Sequence, residues 1–300
     1  MWESLKSLLR ISKHNVNNID NSLFTIKVLK DFDEKDLDKV IAKLKNKSID
    51  GFILKRALSK AQTESLVKYF SSLEERDLIQ KRGVGSYPKS FLSLLYGLET
   101  EKGYFKNNEK VGKDVLEKTG FDLQSFFLDI MSKFNGNKKG FIKSNKSNGG
   151  TFAPLNFRSL SENESNIPLQ CEDCHYSWMT NDVRNLGFNE LEPGAIPFYI
   201  TLQKSNGGNL LLFDARWTTG QITTKLGKDY HQIINPDGTK INCSPSGVRR
   251  MPIDTEPGDL IIFNGNEIWH MVERGSGGKK RLTVGGFLNT TKEGEVEIWA

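Results

Sequence analysis

The sequence has little of what disulfide-stabilised, exported or membrane-spanning proteins need. Its three cysteines, Cys171, Cys174 and Cys243, are an odd and sparse set, which argues against a disulfide framework and favours a reducing cytoplasm. No run approaches the roughly 20 apolar residues that span a bilayer. The start of the chain also lacks the apolar stretch of a signal peptide. We therefore expect a cytoplasmic protein with no membrane partner.

Concentrated charge of one sign is also missing. The net charge is +5, but the lysines are scattered and no basic stripe alternates with aromatic residues, so nucleic-acid binding is not expected. The 300 residues, 37% hydrophobic and 26% charged, can bury one large core or a core with a second lobe. No pattern in the sequence sets the oligomeric state.

The hydrophobic period changes near residue 150. Before it, helical spacing predicts helices over 31–44, from an N-cap at Ser59 to about 75, and over 111–134 with a break near Gly120. A strand is predicted over 51–54, and a connector rich in Gly, Asn and Lys over 135–150. Strands are then predicted over 157–160, 167–172, 196–203, 209–214, 260–263, 268–272, 281–288 and 295–299. This predicts an α+β protein in which a helix-rich lobe, residues 1–150, packs on a jelly-roll-like β core, residues 151–300.

Several motifs of the β core follow one another in a distinctive order. They are a Gly-Gly-x-Leu strand start at 207–210, a Gly-Asp-Leu-Ile-Ile-Phe-x-Gly segment at 258–265, His270, and an Arg-x-Thr-x-Gly-Gly-Phe-Leu strand at 281–288. Ten residues separate His270 from Arg281. In this order and spacing, the motifs resemble those of the Fe(II)/2-oxoglutarate-dependent oxygenases. Within that superfamily they are most similar to the carrier-independent small-molecule halogenases and hydroxylases.

The resemblance implies a double-stranded β-helix core, Fe(II) and 2-oxoglutarate as cofactors, and a small-molecule substrate that is oxidised by O₂ at a C–H bond. It implies that His270 is a metal ligand and that Arg281 holds the far carboxylate of 2-oxoglutarate, with Thr283 on the same strand face. A guanidinium is suited to this bidentate contact. Hydroxylation or a related oxidation in natural-product or amino-acid metabolism is expected. Arg216 and Trp217, which follow the 209–214 strand, are candidates for substrate contact.

The other half of the metal site departs from the superfamily pattern. A facial-triad iron site takes two histidines and one carboxylate, and a His-x-Asp or His-x-Glu pair on a strand points both side chains to one face. In register, Gln170 stands where the resemblance expects the histidine, and Glu172 stands at the acidic position. Glutamine binds iron weakly and carries no charge, so this exchange predicts a lower metal affinity.

Three ways of completing the site stay open at this point. His175 could supply the missing nitrogen if a turn follows Glu172, because their odd spacing would place them on opposite faces of a regular strand. Gln170 could itself be a weak ligand beside Glu172 and His270. Alternatively, His175 and His270 could bind without a protein carboxylate, with Ser177 at the acid position, as in the halogenases that make room there for halide. The fit of Glu172 argues against this third arrangement and favours hydroxylation.

Two functions of other classes remain open. The neutral Gln170 favours a metal-poor, non-catalytic relative that binds a ligand or a protein. Cys171, Cys174 and His175 allow an enzyme of altered metal chemistry, and their Cys-x-x-Cys-His pattern also matches haem attachment, half of a zinc site or a redox pair. Haem attachment needs export and a zinc site needs a second pair of ligands, and the sequence shows neither.

Overall fold

Helices form in the first half of the chain, as the spacing predicts, but the helix predicted from 111 begins ten residues earlier, at Glu101. The computed structural model describes residues 18–21, 23–30, 37–73, 79–81, 84–87, 101–144, 150–160, 167, 169–173, 194–217, 221–224, 231–234, 240–243 and 249–300. The helices within these residues are α1 (Val40–Lys45), α2 (Lys60–Ser71), α3 (Glu101–Thr119) and α4 (Leu123–Phe134). Ser59 caps α2 in a full capping box with Gln62. Gly120, at a φ of 69°, separates α3 from α4, so the predicted break is confirmed.

The strands form one large sheet and several small ones. The first strands are β1 (Asn18–Asn21), β2 (Phe24–Leu29), β3 (Gly51–Leu54), β4 (Ile79–Lys81), β5 (Val84–Tyr87), β6 (Gly140–Ile142), β7 (Asn156–Leu160), β8 (Ile196–Gln203), β9 (Asn206–Gly207) and β10 (Leu210–Arg216). The others are β11 (Gln221–Thr224), β12 (His231–Ile234), β13 (Lys240–Cys243), β14 (Arg250–Ile253), β15 (Leu260–Phe263), β16 (Ile268–Val272), β17 (Gly275–Ser276), β18 (Arg281–Thr290) and β19 (Val296–Trp299).

The large sheet runs in the order β1-β2-β3-β15-β8-β18-β7-β5-β4, and β19 joins β18 to β6. A smaller sheet has the order β14-β10-β16. Two apolar clusters show how these layers pack. One cluster combines all of the described helices with one face of the large sheet. The other draws residues such as Ile26, Ile261, Leu212 and Ile268 from both sheets and therefore lies between them. A cleft between two facing sheets is where a jelly roll places its site.

Most predicted strands of the β core are confirmed, and those over 196–203, 260–263 and 268–272 match in their bounds. The strand predicted over 167–172 is wrong. There the described residues form a single bridge at Gln170, followed by a helical turn at Glu172. The helix predicted over 31–44 begins later, at Val40, and residues 31–36 lie outside the described part. The division at residue 150 stays a prediction. The described helices include none long and apolar enough to cross a bilayer.

Asp259 ties the large sheet to the chain that follows β3. Its carboxylate is 1% exposed and accepts hydrogen bonds from Lys55 Nζ at 2.7 Å and from the backbone nitrogens of Arg56 at 2.9 Å and Glu256 at 2.7 Å. Asp259→Ala would leave these donors without their acceptor. We expect it to lower the free energy of unfolding by about 2–3 kcal/mol.

Equilibrium chemical denaturation measures this loss. Asp254→Ala is the matched control, since Asp254 is 63% exposed and pairs with Lys204 near the surface. The control should change stability by less than about 0.5 kcal/mol. Equal effects of the two substitutions would contradict the role assigned to Asp259.

Candidate active site

Gln170 and His270 lie opposite each other on neighbouring extended segments. Their main chains exchange two hydrogen bonds of 2.8 Å, from Gln170 N to His270 O and from His270 N to Gln170 O. Residues paired in this way direct their side chains to the same face. The structure therefore brings Gln170 beside His270, as the register of the sequence predicted.

Glu172 reaches the same place from the turn that follows. The backbone nitrogens of Glu172 and Asp173 donate to the carbonyl oxygens of Gly265 at 3.1 Å and Asn266 at 2.9 Å. Gly265 leaves room for the carboxylate, since a Cβ there would lie 3.1 Å from Glu172 Oε2 and 2.5 Å from Pro197 Cγ. Glu172 Oε1 is 3.5 Å from His270 Nε2. The other oxygen, Oε2, is buried and has no hydrogen-bond partner among the described residues.

The imidazole of His270 is fixed by its second nitrogen. Nδ1 lies 2.9 Å from the carbonyl oxygen of Ile268, and the ring packs edge-on against Phe263 at 5.1 Å. With Nδ1 donating to a carbonyl, Nε2 faces Glu172 and is the nitrogen that a metal would take after the proton leaves, which is how metal-binding histidines are commonly oriented. Burial has the largest single effect and lowers the pKa of His270, but the Glu172 carboxylate and the Ile268 carbonyl together raise it, and the pKa lies above its ordinary value.

This pair fits a divalent metal ion. A buried imidazole and carboxylate that share a proton can exchange it for a cation, and the unpaired Oε2 of Glu172 is a further donor. Within the described residues no cluster of three or more His, Cys, Asp or Glu side chains could hold a metal. His175 and Ser177 lie outside the described residues. The third protein ligand thus stays a prediction.

Arg281 and Thr283 lie on β18 and face the interior with residues of β8. Strand pairing sets Thr283 opposite Thr201, and Arg281 lies over the ring of Tyr199, 5.0 Å from its centroid. Burial lowers the pKa of Arg281, and Tyr199 opposes this effect. A small pocket opens beside the guanidinium, and Gly208 among others lines it. A Cβ on Gly208 would lie 3.3 Å from Arg281 Cδ, so the glycine keeps this approach open.

Arg158 is a residue of this cleft that the sequence patterns missed. It lies on β7 directly opposite Thr283 of β18. Burial lowers its pKa, which the negative charge of Glu172 raises and the positive charge of Arg281 lowers. The signal that could have found it is a lone charged residue within the strand 156–160, whose other positions are buried. An unmatched charge in such a strand marks a functional position.

The other predicted site residues have structural contacts. Arg216 donates to Asp50 and, at 3.0 Å, to Glu267, so its charge is already balanced. Trp217 lies 6.3 Å from Trp269, ring centre to ring centre, in an apolar cluster. These contacts give no support to a role in substrate binding, which stays a prediction for both residues.

Cys171 belongs to the same apolar cluster as Trp269. It is fully buried there. Its partners in this cluster are Leu169, Leu211, Phe213 and Trp269, and neither His270 nor Glu172 is among them. This corrects the hypothesis of altered metal chemistry as far as Cys171 is concerned. Cys174 and His175 lie outside the described residues.

Comparisons with known proteins identify the family. Residues 24–300 match the family model described as carrier-protein-independent halogenase WelO5. A curated relative is L-gamma-glutamyl-L-propargylglycine hydroxylase of Streptantibioticus cattleyicolor. It is 23% identical over 127 residues, which make up 42% of this chain and 43% of that protein. The chain thus matches less than half the length of this relative.

Solved structures show the fold. The N-substituted L-amino acid dioxygenase from Burkholderia ambifaria AMMD is 15% identical, covers 87% of this chain and 90% of its own, and has a TM-score of 0.52. A structure of the same dioxygenase in complex with alpha-KG is 16% identical, covers the same shares and has a TM-score of 0.50. The predicted double-stranded β-helix fold is confirmed. Since the family model spans nearly the whole chain, the protein belongs to the carrier-protein-independent halogenase WelO5 family, within the Fe(II)/2-oxoglutarate-dependent oxygenases.

Proposed function

We propose that this protein is an Fe(II)/2-oxoglutarate-dependent oxygenase that hydroxylates a small molecule. The observation that carries the proposal is the buried pair of His270 Nε2 and Glu172 Oε1, 3.5 Å apart, in the same interior as the buried guanidinium of Arg281. Family membership supports this chemistry. The pair supplies a nitrogen and a carboxylate of the facial triad, and Arg281 supplies the cation that a dicarboxylate needs.

Each residue has a defined task in this proposal. His270 and Glu172 hold the metal, and Gln170, which the backbone bridge sets beside His270, takes the third protein position. Arg281 pairs with the far carboxylate of 2-oxoglutarate, and Thr283 lies next to it on the same strand face. When bound, iron and 2-oxoglutarate together supply the oxidation of a C–H bond by O₂. The fixed Nδ1 contact of His270 keeps Nε2 free for the metal throughout.

Glu172 supports hydroxylation over halogenation. The resemblance implies that halogenases make room for halide by lacking the acid at this position. Here the carboxylate is present, lies next to His270 and has one oxygen without a hydrogen-bond partner among the described residues. A ligand carboxylate and a halide are both anions and would compete for one metal position, so the protein carboxylate favours transfer of oxygen.

A non-catalytic relative is the second candidate, and one observation favours it. The side chain that the structure sets beside His270 is the neutral amide of Gln170, and the described residues offer no third charged ligand. In that case the cleft would bind a ligand without chemistry. The register supports Gln170 over His175 as the neighbour of His270, so completion of the site by His175 has less support.

The substrate class that we propose is an amino-acid derivative. The curated relative is named as a hydroxylase of a γ-glutamyl dipeptide, and the protein of similar fold is named as a dioxygenase of N-substituted L-amino acids. Both of these substrates carry a carboxylate next to an acylated or otherwise substituted amine. A cytoplasmic location also stays a proposal, and the sparse cysteines support it.

Anaerobic addition of Fe(II) and 2-oxoglutarate tests the proposed function directly. We expect a weak visible charge-transfer band that needs both components, because 2-oxoglutarate chelates iron in this superfamily. Fe(II) with succinate, which lacks the keto group, is the control and should give no such band. Absence of the band, together with no metal bound at millimolar iron, would favour the non-catalytic relative.

A further inference from the structure

Arg158 is the middle residue of β7 and lies on the same strand face as Leu160, which belongs to the apolar cluster between the two sheets. On β7 it pairs with Thr283 of β18, and Thr283 pairs in turn with Thr201 of β8, so the three residues form one row across neighbouring strands. Residues in register share a face of the sheet. Arg281 lies on that same face, two positions before Thr283. The register therefore places the two arginines as diagonal neighbours on the face that carries the pocket, since Arg281 is opposite Leu160 and Arg158 is opposite Thr283.

Some hydrogen-bond donors of the Arg158 guanidinium have no acceptor among the described residues. Its Nε donates to Asn156 Oδ1 on its own strand at 3.2 Å. Among the described residues, no hydrogen bond or ion pair takes up its two terminal amino groups. Glu172 is near enough to influence Arg158 electrostatically, yet the two form no ion pair within 4 Å. Burial lowers the pKa of Arg158, so the charged guanidinium is disfavoured at this position, and pairing with a ligand carboxylate would offset that cost.

The charge of the cleft points in the same direction. Arg158 and Arg281 contribute two positive charges, and Glu172 contributes one negative charge, so these groups leave a net charge of plus one. A divalent metal and the dianion 2-oxoglutarate cancel each other. Among these three groups one positive charge is then left without a counter-charge, and a further carboxylate would pair with it.

We propose that Arg158 is a second carboxylate-binding residue of the cleft, distinct from Arg281, and that the carboxylate belongs to the substrate. The assignment rests on the proposed function, because the charge balance assumes a metal and 2-oxoglutarate. It narrows the substrate class to anionic small molecules with a planar acid group, which suits the fork of a guanidinium. The keto-acid carboxylate of 2-oxoglutarate is the other source of the same chemistry.

Calorimetric titration of the full chain loaded with Mn(II), which supports binding without turnover, separates these sources. Two pairs of probes differ in one carboxylate only: N-acetyl-L-leucine with N-acetyl-L-leucinamide, and 2-oxoglutarate with 4-oxopentanoate, which lacks the acid beside the ketone. Arg158→Gln removes the charge, and Arg158→Lys keeps the charge but loses the fork. Arg249→Gln is the matched control, since Arg249 is 68% exposed and pairs with Asp214 at the surface.

We expect Arg158→Gln to lower the affinity for N-acetyl-L-leucine by at least about thirtyfold, which is the loss typical of truncating one partner of a buried charge pair. Its affinity for the leucinamide should not change, and Arg158→Lys should fall in between. If Arg158→Gln instead removes the preference for 2-oxoglutarate over 4-oxopentanoate, Arg158 binds the carboxylate of the cosubstrate. Circular dichroism of both variants reports whether the fold is intact.

The inference is overturned if the affinities of both Arg158 variants stay within about threefold of the parent affinity for every carboxylate probe that the parent binds. It is also overturned if the parent binds none of the carboxylates. The failure of the proposed function gives a different result. The parent protein could bind N-acetyl-L-leucine in an Arg158-dependent way and yet fail to bind 2-oxoglutarate. That result would support the carboxylate site at Arg158 and contradict the proposed oxygenase function.

Discussion

Arg281→Gln is expected to weaken the binding of 2-oxoglutarate by about 2–5 kcal/mol, which is roughly thirtyfold to several thousandfold in affinity. The guanidinium is 6% exposed and lies over the ring of Tyr199, so no water replaces the lost contact with the carboxylate. Calorimetric titration of the Mn(II)-loaded variant with 2-oxoglutarate measures the loss. Metal affinity in the absence of 2-oxoglutarate should stay at the parent value, because Arg281 does not contact His270 or Glu172.

Two comparisons make this result specific. Arg249→Gln removes a surface arginine and should leave 2-oxoglutarate binding unchanged. Binding of 2-oxopentanoate, which lacks the far carboxylate, should be weak in the parent and no weaker in Arg281→Gln. Parent-like affinity of Arg281→Gln for 2-oxoglutarate would mean that the anchor of the far carboxylate is another residue.

Gln170→His is expected to tighten metal binding by at least about a hundredfold, more than the 10–100-fold that partners outside the ligand shell contribute. The backbone bridge already holds residue 170 opposite His270, so an imidazole there points to the face of Glu172 without a movement of the main chain. Titration with Fe(II) under anaerobic conditions, or with Mn(II), measures the change. His270→Ala should abolish binding in both backgrounds.

The same titrations decide between Gln170 and His175. If Gln170 is the ligand, as the register indicates, His175→Ala should hardly change the metal affinity and Gln170→Ala should lower it. If His175 has taken over as ligand, His175→Ala abolishes binding and Gln170→Ala does little. Parent-like binding in both alanine variants would exclude both residues. If neither the parent nor Gln170→His binds metal, the hypothesis of a non-catalytic relative that binds a ligand or a protein would be favoured.

Local signals in the sequence predicted the elements that local physics determines. Ser59 and Gly120 mark helix ends through capping and through a left-handed backbone conformation, and both lie where they were expected. The strand that carries His270 was predicted for the same reason, since its apolar residues are bounded by turn residues. The superfamily followed from motifs whose order survives sequence divergence.

What depends on partners far away in the chain was harder to predict. The segment before Glu172 has the composition of a strand, yet its described residues form one bridge at Gln170 and one hydrogen bond from Val272 N to Ile167 O, and the chain then turns to meet the carbonyl of Gly265. Arg158 was not predicted as a site residue because its place in the cleft depends on pairing with Thr283, which lies 125 positions later and directly opposite it. Pairing of this kind is set by the tertiary fold, and no period in the sequence records it.

The four backbone hydrogen bonds that hold residues 170–173 against 265, 266 and 270 have a consequence for how the protein is handled. They hold the backbone of His270 and Glu172 in place without the metal. We therefore expect the fold to form whether or not the ion is bound. This separates the protein from zinc fingers, in which binding of the metal is the folding reaction. A chelator should therefore strip the centre and leave a folded apoprotein with only the ligand-linked part of its stability removed. Inactive preparations of this protein would then be restored by adding metal back, without any refolding step.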